Sequence, residues 1–87
     1  MHYKLEYKSS VKKELSKLAK TVRLAVVHKI ELLRQEPRPE GSAKLKGSSD
    51  LYRIRHGDYR VIYKIQDLVL VILIIRIGHR REIYKNL

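Results

Sequence analysis

Six arginines fall in the second half of this 87-residue chain: Arg53, Arg55, Arg60, Arg76, Arg80 and Arg81. Nine of the eleven lysines lie at or before Lys46. The shift is chemical as well as compositional. Lysine is a flexible, strongly hydrated point charge, whereas arginine offers a planar fork of donors that grips phosphate bidentately and stays charged. Four tyrosines, Tyr52, Tyr59, Tyr63 and Tyr84, are interleaved with the late arginines, and a phenol can stack on a base or carry a proton. A chain that turns from lysine to arginine in this way is suited to holding a phosphodiester.

Spacing sharpens the point. Arg53 and Arg55 are two apart on an expected strand and share a face, while Tyr52, Ile54 and His56 take the other. Alternating charges alone are ordinarily a solvated face. Arg60, just past a Gly57-Asp58 turn, adds a third guanidinium, and three together repel unless an anion joins them. Arg80 and Tyr84 are four apart near the chain end, where one helical turn puts both on one side; the plainer alternative is a frayed tail. His79 and His56 complete the proton-transfer candidates. Lys44 and Lys46, in a basic loop, and Arg81 are candidates for contacting a nucleic-acid backbone. Arg76, within a strand, is expected to be structural.

Other chemistries are thinly represented. There is no cysteine, hence no disulfide, thiolate metal site or Cys nucleophile, which suits a reducing cytoplasm. The four histidines show no ligand spacing, the acidic residues are scattered, and no Gly-rich phosphate loop occurs. No metal or cofactor is expected, so a nuclease built from these residues would use arginine for charge and Tyr, His or Lys for protons. A net charge of +11 and a pI near 10.1 call for an anionic partner. The N-terminus has no signal-peptide pattern. The one long apolar run, Leu68 to Ile75, is far shorter than the roughly 20 residues a membrane helix needs. A soluble, cytoplasmic protein without a membrane partner is expected.

The elements that must position these residues read as one domain over 1–87. His2 to Tyr7 alternate as a strand. Ser9 or Ser10 can cap a short helix carrying Val11, Leu15 and Leu18. Thr21 can cap a longer one carrying Val22, Val26, Ile30 and Leu33, which Pro37 and Pro39 stop. After the basic loop come strands Leu51 to His56 and Tyr59 to Ile65, then a strand from Leu68 to Ile77, covered on both faces and ended by Gly78. The order β-α-α-β-β-β predicts an α+β fold: a helical hairpin on a small, mainly antiparallel sheet.

Four stretches together carry a family resemblance: Lys44-Leu-Lys-Gly47, Leu51-Tyr-Arg-Ile-Arg55, Gly57-Asp-Tyr-Arg60-Val-Ile-Tyr63 and Ile77-Gly-His-Arg80-Arg-Glu-Ile-Tyr84. The chain resembles the RelE/ParE toxin superfamily over essentially its whole length, and looks closest to the RelE branch. The resemblance implies a toxin of a type II toxin–antitoxin pair and a metal-independent endoribonuclease that cuts mRNA in the ribosomal A site. It implies mRNA, the ribosome and a cognate acidic antitoxin as partners. Residue by residue, Arg53 and Arg55 stand where the family usually has lysines, Arg60 where it binds phosphate, Arg80 at its late basic position and Tyr84 at its C-terminal catalytic tyrosine. Arginine at 53 and 55 can clamp phosphate or stabilise a phenolate but cannot act as a base. The short Gly57-Asp58 turn also trims a loop that is longer in some relatives.

RNA brings its own nucleophile. Attack of the 2′-OH on the adjacent phosphate gives a 2′,3′-cyclic phosphate and a free 5′-OH. The protein must remove a proton, stabilise a dianionic phosphorane and protonate the leaving oxygen. Tyr84 is the candidate base, Arg60 the phosphate binder, Arg53 and Arg55 the charge stabilisers. Arg80, with His79 as runner-up, serves the leaving oxygen. Two other classes compete: a ParE-like gyrase inhibitor acting by binding, and an RNA-binding module without turnover, for which the net charge alone would suffice.

Overall fold

The computed structural model describes residues 2–84. Alternating Lys4–Tyr7 forms β1, and two helices follow almost without a break, α1 over Ser9–Ser16 and α2 over Lys20–Leu32. Four further strands complete the chain: β2 at Ala43–Lys44, β3 at Leu51–His56, β4 at Tyr59–Gln66 and β5 at Val71–His79. They form one sheet in the order β1-β5-β4-β3-β2. Its pairings are antiparallel except for β1 against β5, which is parallel. The α+β plan is therefore the expected one, with a two-residue strand β2 added at the edge where a loop was expected.

Strand register defines two faces. Tyr52 pairs with Tyr63 and Ile54 with Val61, while Val61 pairs with Ile77, Tyr63 with Ile74 and Ile65 with Ile72. This face meets Val11, Leu18, Val26, Ile30 and Leu33 from the helical side, and together they make the core. The opposite face carries Arg53, Arg55, Arg60, Ile62, Lys64, Arg76 and Gly78 by alternation. Ile62 and Ile83 are fully buried outside the helix-side cluster.

Three local expectations are corrected. Ser9 lies inside α1 and Thr21 inside α2; the caps are Lys8 and Ala19, and neither side chain makes a capping hydrogen bond. Packing of Val11, Val26 and Ile30 stabilises these helices instead. Leu68 to Leu70 form a turn, with Leu68 fully exposed and Leu70 at a φ of 56°. Asp67 anchors that turn from outside, accepting hydrogen bonds from Tyr3 and Arg38, so the strand starts at Val71. Gly78 does not end β5, which runs on to His79 and is well buried on the helix side only.

A bulge bends β5: Ile62 pairs with Arg76 but Tyr63 with Ile74, leaving Ile75 unmatched. Beyond the end of β1 the edge of β5 lacks a strand partner, and Glu14 of α1 fills in. Its Oε1 accepts the Ile77 N–H at 2.9 Å, and its Oε2 lies 3.8 Å from Arg76 Nε. The expected structural role of Arg76 takes this form.

Candidate active site

The β3–β4 hairpin builds the arginine face. Its turn is only Gly57-Asp58, with His56 and Tyr59 as the closing pair. Gly57 takes a φ of 58° and Asp58 a negative one, the pattern of a type II′ turn that suits the twist of a hairpin. The next pair inward is Arg55 opposite Arg60, and Arg53 follows opposite Ile62. Facing side chains at such positions have Cβ atoms only about 4.5–5.5 Å apart, and like charges there destabilise the sheet. Among the described residues no carboxylate lies within ion-pair distance of Arg53, Arg55 or Arg60.

Each arginine is held differently. Arg53 is half-buried between Ala43 of β2 and Ile62 of β4, and its Nη1 is buried without a hydrogen-bond partner. A buried charged donor left unmatched is costly to the fold. Arg55 is exposed; its backbone carbonyl, beyond the reach of short β2, accepts Lys29 Nζ at 2.9 Å. Arg60 Nη1 donates to the Gly57 carbonyl at 3.0 Å and to the Tyr59 carbonyl at 3.1 Å.

The C-terminal turn is pinned to the same hairpin. Arg80 donates its backbone N–H to the Asp58 carbonyl at 2.7 Å, and its Nε lies 3.6 Å from Asp58 Oδ1. The Glu82 and Ile83 N–H groups donate back to the His79 carbonyl, each at 2.9 Å. Ile83 is buried, with its Cδ1 3.3 Å from where a Cβ on Gly78 would sit. Tyr84 follows on this turn and is 45% exposed.

The structure thus gathers Arg53, Arg55 and Arg60 on one face and ties Arg80 to their hairpin. His79 lies apart from the three arginines. It pairs with Tyr59 on the helix side of the sheet, its ring edge-to-face with Tyr59 at 5.8 Å, and its Nδ1 accepts the Arg81 N–H at 3.3 Å. Lys44 pairs with Tyr52, so alternation sets it on the helix face of the sheet edge. Lys46 and Arg81 are exposed in turns. Asp58 and Gly78 were expected only to turn and to end strands, and Lys29 and Ile83 were not singled out by sequence. Only Asp58 left a signal there, as the one carboxylate between Arg53 and Arg60.

A second arginine–tyrosine cluster occupies the other end of the sheet. Arg38 Nη2 donates to Asp67 Oδ2 at 2.9 Å and Nε donates to the Tyr52 hydroxyl at 3.2 Å, with the guanidinium 5.2 Å from the Tyr52 ring centre. Tyr3 donates to Asp67 Oδ1 at 2.6 Å, and Tyr63 donates to the buried Pro37 carbonyl at 2.7 Å. The Arg38 and Tyr3 hydrogen bonds hold the Asp67 carboxyl below the usual carboxylate range. Burial pushes the Tyr63 hydroxyl up to about 12, although Ser42 and Arg38 act the other way.

Helices on one sheet face and a cluster of arginines on the other define a class: small basic α+β domains with an open, arginine-bearing sheet face. The family described as ParE toxin of type II toxin–antitoxin system, parDE, matches residues 5–84. The mRNA interferase toxin RelE of Escherichia coli K12 is 35% identical over 90 residues, covering 99% of this chain and 94% of that protein. The archaeal RelE–RelB complex from Pyrococcus horikoshii OT3 contains a chain that superposes with a TM-score of 0.82 at 34% identity, covering 94% of this chain and 99% of that one. The intact RelBE toxin–antitoxin complex of E. coli gives 0.79 at 33% identity, over 88% of this chain and 95% of that one. The chain belongs to the RelE/ParE toxin superfamily, in its RelE branch.

Proposed function

We propose that this chain is a metal-independent endoribonuclease that cuts mRNA on the ribosome, and so the toxin of a type II toxin–antitoxin pair. The observation that carries this is the facing pair Arg55–Arg60, with Arg53 on the same sheet face and no carboxylate within ion-pair distance of the three among the described residues. Three cations held together in this way suit a phosphate that gains charge during reaction.

In the proposed reaction the 2′-oxygen bonds to phosphorus as its proton passes to the oxygen of Tyr84 acting as phenolate. Arg53, Arg55 and Arg60 stabilise the dianionic phosphorane, and the bond to the 5′-oxygen breaks to leave a 2′,3′-cyclic phosphate. Arg80 stabilises the departing 5′-oxygen, which takes its proton from water, because arginine is too weak an acid to supply one. His79, turned to the helix side and accepting from Arg81, is a poor second choice for that step. Lys44, Lys46 and Arg81 are exposed and suited to RNA backbone contacts. A cognate acidic antitoxin fits the net charge, and exposed Leu24 and Leu32 on α2 offer apolar anchorage for it.

Primer extension on an mRNA in a translating extract tests this. New cuts within codons at the A site, absent from naked mRNA, are expected. Tyr84→Phe should lower cutting by orders of magnitude while ribosome binding persists. Intact mRNA together with inhibited gyrase supercoiling would place the chain with binding-type ParE toxins instead.

A further inference from the structure

The two-residue Gly57-Asp58 turn holds two arginines of the proposed site at once. Gly57 supplies the positive φ and a carbonyl for Arg60; Asp58 supplies a carbonyl for the Arg80 N–H and a carboxylate for its Nε. Asp58 is the one carboxylate that touches any of Arg53, Arg55, Arg60 and Arg80 among the described residues. As a stability device the contact is weak, since both side chains are more than half exposed and such pairs contribute little. Its geometry is informative, however. The carboxylate meets the Nε edge, and no hydrogen bond engages the Nη groups of Arg80 among the described residues, so the outer face of the guanidinium stays open to an RNA oxygen. Ile83, buried beside Gly78, fixes the C-terminal turn at a second point.

We infer that Asp58 is a positioning residue: from the hairpin turn it aims the Arg80 guanidinium at the RNA bound on the arginine face. This rests on the endoribonuclease assignment, and it makes the short turn the part that joins the C-terminal segment to the sheet site. A shorter, unbonded turn residue would leave Arg80 to sample many rotamers, and misplacing a catalytic group by about 1 Å is enough to cost rate.

The test uses the full chain on mRNA-programmed ribosomes, with cutting followed as ribosome concentration is varied, and Tm as the check on folding. Asp58→Ala should lower the rate at saturation about tenfold, with the half-saturating concentration unchanged. Asp58→Glu, which keeps the carboxylate, should recover most of it. In an Arg80→Ala background, Asp58→Ala should cost nothing further. The inference is overturned if Asp58→Ala matches the parent, if the two losses multiply in the double variant, or if Asp58→Ala cuts faster, which would mean that the carboxylate competes with phosphate. Loss of cutting in Arg80→Ala but not in Asp58→Ala overturns the positioning role alone. No cutting by the parent protein overturns the endoribonuclease assignment, and the positioning role with it.

Discussion

Two arginine–tyrosine clusters sit at opposite ends of one small sheet, and they are finished differently. At one end Arg38 has a carboxylate, a phenol hydroxyl and a ring face, while Tyr3 and Tyr63 have acceptors of their own. At the other, Arg55 faces Arg60 across the hairpin and Arg53 keeps a buried donor unmatched. The residue types are the same and the partners are not. A cluster in which arginine, carboxylate and phenol meet one another ties the chain together; one that keeps its charge uncompensated is less stable than it need be.

The contrast breaks most visibly at Arg55 and Arg60. Replacing either with Ala should reduce ribosomal mRNA cutting by about 10²–10³-fold, the usual loss for one preorganised charge-stabilising donor. Arg55→Ala should leave Tm unchanged or slightly raised, because a like-charge cross-strand pair is relieved. Kinetics beside a thermal melt check both halves. A fall in Tm with Arg55→Ala would mean that this arginine is structural, and the two clusters would no longer differ in kind.

Tyr63 sharpens the other side. Tyr63→Phe leaves the buried Pro37 carbonyl without its donor and should cost about 1–3 kcal/mol, with Tm falling by roughly 4–8 °C for each kcal/mol in a domain of this size. Cutting by the folded fraction should be unaffected. The hydroxyl also marks itself by pH. Its folded pKa is raised to about 12, so its stabilisation is complete below the ordinary tyrosine value near 10 and is lost as pH climbs through about 12. Parent protein should therefore lose stability more steeply than Tyr63→Phe over that alkaline window, as urea unfolding at stepped pH would show.

Much of this was legible in the sequence. Period-two alternation located β1, β3 and β4, the 3.6 period located both helices, and the Arg53, Arg55, Arg60 spacing predicted one shared face because a hairpin with a two-residue turn leaves no other register. What was hidden is tertiary. The apolar run from Leu68 was split because Asp67 is tied to Tyr3 and Arg38, residues far away in the chain. The position of His79 followed from the β5 bulge, since an extra residue at Ile75 shifts every later side chain by one. Glu14, which the helical pattern passes over, closes the open edge of β5. Asp58 looked like a turn residue and nothing more. Short-range pattern reports which face a residue takes; it does not report which partner waits there.

The smallest effect separates the clusters by titration. Arg38 first, then Tyr3, hold the Asp67 carboxyl below its ordinary range. A folded-state pKa that is depressed gives stability that is present above the unfolded value, near 4, and lost as pH falls through the lower folded value. The carboxylate is fully exposed, so screening keeps the contribution small and salt should shrink it further. Asp67→Asn removes the charge but keeps the side chain's size. Melts of parent and variant from neutral pH downward should show a Tm gap that begins to narrow as the pH drops below about 4 and closes as it passes the lower folded value. A gap of constant width would mean that Asp67 acts through packing or hydrogen bonds and not through charge. The same series on Arg55→Ala should show no such closing, because no carboxylate pairs with Arg55 among the described residues. The Arg38 cluster should answer to acid through its paired carboxylate, and removing Arg55 should leave that response as it is.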